Sequence, residues 1–140
     1  MEDEKRGSRA KIVLKYFLHG LFFSLLVTFL IVGSFFIGAG LILAAGILGL
    51  VALVAIMAVL FGVANNLINR AVWGDSMNWS ILALLIHGLG LFVALVIVNC
   101  VIVLLPQLFF PGLITVIVMW IPTNIVDGKV CRSIAQHWLD

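Results

Sequence analysis

Two long apolar runs with one polar island between them set the plan of this chain. The first run extends from Ile12 to Ala64 and the second from Ser80 to Val126. No charged side chain lies between Lys15 and Arg70, and none between Asp75 and Asp127. The island, residues 65–80, reads NNLINRAVWGDSMNWS. A membrane-crossing helix needs roughly 20 apolar residues, so each run is long enough for two spans joined by a tight reversal.

In the first run the glycines of residues 33–40 (GSFFIGAG) mark the reversal, which predicts spans at about 12–36 and 40–66. Both exceed a hydrocarbon thickness of roughly 30 Å and must tilt or protrude. In the second run Pro106, Gln107, Pro111 and Gly112 mark the reversal, because proline lacks the N–H that continues a helix. The spans predicted there are about 79–104 and 112–127. Pro122 leaves the Val118 carbonyl without its partner, which predicts a kink or an end near Trp120. A charged segment, 1–11 (MEDEKRGSRAK), precedes the spans, and a short tail, 128–140 (GKVCRSIAQHWLD), follows them. Val130, Ile134, His137 and Trp138 share one helical face of that tail, which suits a turn lying on the interface. The predicted fold is an all-α integral membrane protein, four helices in two hairpins, forming one domain.

Composition narrows the solvent. Of 140 residues, 64% are hydrophobic and 10% charged, with mean hydropathy +1.31. A soluble domain carries about 25% charged residues, so lipid surrounds most of this chain. A net charge of +2 is too small to point to nucleic acid. The first apolar stretch follows a basic segment as a signal peptide would, but it far exceeds an h-region of roughly 7–15 residues. It is therefore read as a retained anchor.

Charge also orients the chain. In a four-span arrangement Lys5, Arg6, Arg9, Lys11, Lys15, Arg70, Lys129 and Arg132 all fall on one side, and the opposite reversals carry no charge. Excess Lys and Arg mark the cytoplasmic side, which predicts a multi-pass protein of the cytoplasmic membrane with both termini and the island inside. Trp73, Trp79, Trp120 and Trp138 fall on that side as an interfacial belt, whereas Phe35, Phe36, Phe109 and Phe110 mark the other end.

A weak internal repeat is visible. Leu18-His19-Gly20-Leu21 resembles Ile86-His87-Gly88-Leu89, and Asn66-Leu67-Ile68-Asn69 resembles Asn124-Ile125-Val126-Asp127. Both matches lie at equivalent depths in hairpins of one orientation, the pattern of a parallel repeat about an axis along the membrane normal.

The polar residues inside the spans carry whatever chemistry the chain has. His19 and His87 each lie about two turns inside a helix, and ionisable residues in spans usually face the interior. Related by a two-fold axis, they would approach each other, largely neutral at pH 7, linked by water or a cofactor. Three uses compete with plain hydrogen bonding: a proton relay, a metal site, or a b-type haem held through both axial positions. Asn99 is the most deeply placed amide and reads first as interhelical glue, worth on average about 0.6 kcal/mol, and second as part of a transport path. Asn65, Asn66, Asn69, Thr123 and Asn124 are expected to cluster at the cytoplasmic mouth, capping helices or meeting a lipid headgroup. Ala45, Gly49 and Ala52, continued by Ala55, Ala58 and Gly62, form a small-residue packing surface. Cys100 and Cys131 have no CxxC or metal spacing and read as free thiols.

No nucleophile–base pair, carboxylate pair or phosphate-binding glycine loop is present, so the chain does not read as an enzyme. With Asp127 placed at the end of the last span, no acid lies inside one, which argues against a carboxylate-coupled cation carrier. The leading expectation is a small membrane protein that works by helix association, as a homo-oligomer or an accessory subunit of a membrane complex. The alternatives are an oligomeric transporter or channel with a path at His19, His87 and Asn99, and a haem-binding electron carrier.

Overall fold

The structure is a computed structural model, described for residues 2–75 and 80–137, with side chains from Gly7 onward. Among these residues the chain is almost entirely helical, with no strand. Helix α1 covers Glu2–Trp73, and α2 covers Ile81–Asn99. A π-helical turn, Cys100–Leu104, joins α2 to the short α3, Leu105–Phe109, and α4 covers Leu113–Gln136. Three helical stretches are long and apolar enough to cross a membrane: Gly7–Trp73, Ile81–Phe109 and Leu113–Gln136.

That count differs from the four separate helices anticipated, and α1 supplies the reason. Its backbone breaks at one residue, Gly46, with φ 56° and ψ −127°, a conformation that side chains with a Cβ rarely adopt. The arms on either side fold back on each other. His19 hydrogen-bonds Asn65, the rings of Phe23 and Phe61 lie 6.4 Å apart, and Gly38 seats the Leu53 side chain. A Cβ on Gly49 would stand 2.1 Å from the Leu41 carbonyl oxygen. The reversal is thus at Gly46, with no loop between the arms, and the glycines of residues 33–40 are helical.

The later boundaries shift for related reasons. Proline 106 does not turn the chain. The wider π-turn just before it accommodates the missing donor, and the reversal comes at Phe110–Gly112. There the Gln107 amide closes the turn, donating to the Gly112 carbonyl at 3.2 Å and accepting from the Gly112 N–H at 3.0 Å. Pro122 stands inside α4 without ending it. Neighbouring side chains bond carbonyls of that turn: Thr123 Oγ1 donates to Met119 and Asn124 Nδ2 to Trp120, which offsets the donor that proline lacks. Residues 128–136 therefore extend α4 rather than forming a separate tail, and Gly128, Cys131 and Ala135 are buried. Ser80 caps α2, its hydroxyl accepting from the Ala83 N–H at 3.2 Å. Trp79 and Trp138, two members of the expected belt, lie outside the described residues.

Packing is concentrated at the island end. The core joins Phe23, Phe61, Ala64, Ile68, Leu91 and Cys131. Two close backbone approaches tie it together: a Cβ on Gly20 would lie 1.9 Å from the Asn124 carbonyl oxygen, and one on Gly88 would lie 1.7 Å from that of Ala58. The first joins the N-terminal arm of α1 to α4; the second joins its C-terminal arm to α2. Toward the second reversal burial ends, and none of residues 92–123 is buried.

Candidate functional site

The buried polar side chains are His19, Asn65, Asn66, Asn69, His87, Asn124 and Asp127. Seven such groups need partners, because an unbonded buried polar group costs about 1–3 kcal/mol. The longer C-terminal arm of α1 explains why three of them are asparagines of the island: the helix continues to Trp73 and carries Asn65, Asn66 and Asn69 into the interior.

Asn65 stands between the two histidines. Its Oδ1 lies 2.7 Å from His19 Nε2, and its Nδ2 lies 2.9 Å from His87 Nε2 and 3.1 Å from the Cys131 carbonyl oxygen. The Trp73 indole N–H donates to His19 Nδ1 at 3.0 Å. Two one-way groups set the direction of this chain. The Cys131 carbonyl only accepts, so the Asn65 amide nitrogen faces it and Asn65 Oδ1 faces His19. The Trp73 N–H only donates, so His19 Nδ1 is an acceptor and His19 Nε2 carries the hydrogen. His19 is therefore the neutral Nε2–H tautomer, and His87 Nε2 accepts from Asn65. One asparagine ties both arms of α1 to α2 and α4.

This arrangement does not fit a haem or a metal held between the imidazoles. Both Nε2 atoms point at Asn65, which fills the gap, and both nitrogens of His19 are engaged. An axial bond from His19 would require breaking one of them. No group of three His, Cys, Asp or Glu suited to a metal occurs among the described residues.

Beside the histidines, Trp73 organises the charged end. Lys15 Nζ lies 5.1 Å and Arg132 Cζ 4.8 Å from its ring centroid, and Tyr16 packs at 5.1 Å. Arg132 also donates to Asn69 Oδ1 at 2.7 Å and pairs with Asp75 at 2.5 Å. Asn69 in turn donates to the Asp75 carbonyl at 3.1 Å. Trp120 meets Phe17 edge-on, with centroids 5.9 Å apart.

The remaining candidates separate. Asn99 donates to the Leu95 carbonyl at 2.9 Å and to Asp127 Oδ1 at 3.0 Å. Asn124 accepts from Ser24 at 3.2 Å, and Thr123, half-buried, bonds within α4. Asn65, Asn69 and Asn124 thus join three different contacts. Within the small-residue surface, Gly49, Ala58 and Gly62 are buried, Ala55 is half-buried, and Ala45 and Ala52 face outward. Cys131 is buried and Cys100 exposed, both as thiols.

Trp73, Arg132, Asp75, Cys131 and Asp127 were not among the candidates read from sequence. Cys131 contributes a backbone carbonyl, which leaves no signature in a side chain. Asp127 did leave one: Asn124 and Asp127 repeat the three-residue spacing of Asn66 and Asn69. The exclusion of acids from the helices is corrected here, since α4 runs past Asp127 and buries it.

Compared with described protein families, curated proteins and solved structures, the chain matches none.

Proposed function

We propose that this chain is a four-pass membrane protein that works by helix association, with the histidine–asparagine chain as its internal lock. Each arm of α1 counts as one pass in this reading. Termini and island lie on the cytoplasmic side, a reading supported by the gathering of Lys15, Arg132 and Trp73 at one end.

The observation that carries the reading is the fixed direction of hydrogen bonding through Asn65. A proton relay needs groups that can both take and give a proton in turn. An amide between two imidazoles passes a proton only through its unfavourable imidic acid form, and the Trp73 and Cys131 contacts cannot reverse. The same bonds hold four helical segments together, which is what a lock requires. Association is supported by what the lock leaves outside: Ala45 and Ala52, on either side of the Gly46 break, face outward, and small residues let a neighbouring helix approach closely.

Single cysteines at positions 45 and 52, with Cys100 and Cys131 replaced by alanine, test this in native membranes. A cross-linked species, either a dimer of this chain or an adduct with another membrane protein, is the expected result, and A52L should weaken it. A chain that remains uncross-linked and monomeric at both positions would overturn the reading. A second reading, a small transporter or channel, is favoured by one observation: Asn99, on the wall of a cavity, bonds the buried Asp127.

A further inference from the structure

Asp127 is the only buried carboxyl among the described residues, at 7% exposure. Its hydrogen-bond partner there is the Asn99 amide, reached across from α2 at 3.0 Å. The amide is itself held by the Leu95 carbonyl, so the donor is positioned rather than free to turn away. Among the described residues no cation pairs with it. The only ion pair among the described residues is Arg132 with Asp75. On the N-terminal arm, Lys15 lies over Trp73, and His19 donates to Asn65. On the C-terminal arm, Arg70 is exposed; on α2, His87 bonds Asn65; on α4, Lys129 is exposed and Cys131 is a thiol.

A carboxylate buried without a counter-charge is costly, whereas a carboxylic acid needs only hydrogen bonds. The Asn99 N–H serves both forms, because Oδ1 accepts from it with or without the proton. A second observation concerns access. Asn99 also lines a cavity of about 200 Å³ whose other walls, among them Phe23, Val27, Phe61, Phe92 and Leu95, are apolar. Asn99 therefore sits at the edge of an opening between α1 and α2 and joins it to the buried carboxyl.

We propose that Asp127 and Asn99 form a proton-binding site within the membrane-spanning part of the protein. Asp127 takes one proton to become a neutral carboxylic acid and returns it to become a carboxylate, while Asn99 positions the carboxyl in both states. The ligand is a proton rather than a metal ion, since one carboxyl and one amide leave most of a cation's coordination unfilled. The site does not depend on whether the chain associates, and cross-linking at positions 45 and 52 reads that property separately.

Dicyclohexylcarbodiimide, which adds to protonated carboxyls in apolar surroundings, is the probe. The full chain in phosphatidylcholine vesicles is treated across a pH series, and adducts are located by peptide mass spectrometry. The expected result is an adduct on Asp127 and not on Asp75, formed more slowly as pH rises and lost in D127N. N99L, which retains Asp127, should displace the pH profile of labelling, and an unchanged profile would remove Asn99 from the site. The wild-type profile decides the matter even where D127N does not fold. Failure of Asp127 to label at any pH, or labelling confined to Asp75, overturns the proposal.

Discussion

The two ends of this molecule follow different rules. At the island end, helices touch backbone to backbone through Gly20 and Gly88, and seven polar side chains are buried. Toward the reversals, large apolar side chains such as Phe36, Leu43 and Leu108 are mostly exposed, and none of residues 92–123 is buried. In water the second region would collapse and the first would be penalised. In lipid the order reverses. Apolar side chains gain little by leaving lipid for protein, so tight packing appears where polar groups must find each other. Close approach at the island end is thus the condition for the hydrogen bonds, and glycine is what permits it.

The comparison breaks most easily at Asn65. N65L removes the partner of His19 Nε2, His87 Nε2 and the Cys131 carbonyl together, and buried groups left unbonded cost about 1–3 kcal/mol each. A loss of about 3–5 kcal/mol is expected, measured by unfolding in mixed micelles. A loss below about 1 kcal/mol would mean that the island end is not held by this chain of bonds. The next effect separates neighbouring glycines of one helix. G88A forces a Cβ against the Ala58 carbonyl and should cost about 2–3 kcal/mol, as overpacking does. Gly90 has open space around it, so G90A should stabilise by about 0.5–1 kcal/mol through helix propensity. Equal effects at the two positions would deny the close approach. The smallest effect belongs to the far end. Phe36 is 81% exposed, and F36A should change stability by less than about 0.5 kcal/mol; a larger loss would reveal packing there that an isolated chain does not have.

Much of the architecture was legible in the spacing of charge. Runs without Lys, Arg, Asp or Glu marked the apolar helices, and the charges flanking them marked the end where Lys15, Trp73 and Arg132 meet. The turning point of the first run was not legible. Glycine is compatible with helix and with reversal alike, so a cluster at residues 33–40 looked stronger than a single Gly46. What decides between them is the pairing of distant residues, His19 with Asn65 and Gly38 with Leu53, which no local pattern contains. That displacement propagated. With the C-terminal arm starting later, it also ends later, and the island asparagines became interior residues. Pro122 misled in the same way, because the side chains of Thr123 and Asn124 hold the turn that it weakens. Ending the last helix early then set Asp127 outside the apolar region. His19 and His87 were legible because an imidazole in an apolar run has few uses. Their connection was not, since Asn65 falls in the polar island rather than in an apolar run and the Cys131 carbonyl has no sequence signal.

The reversal at Gly46 also bears on how the chain is made. Between Lys15 and Arg70 a nascent chain presents no charged residue, and a Lys or Arg at mid-membrane would add about 2.5–3.5 kcal/mol to its insertion. The tip of the first hairpin is as greasy as its arms, with Leu43, Ile47 and Leu48 at the bend. In the four-pass reading proposed above, it would leave the translocon sideways, as a folded pair, without a hydrophilic loop being threaded across. The same economy leaves the tip with no place for an inserted epitope or glycosylation sequon, because any polar insertion there would have to open the one glycine on which both arms turn.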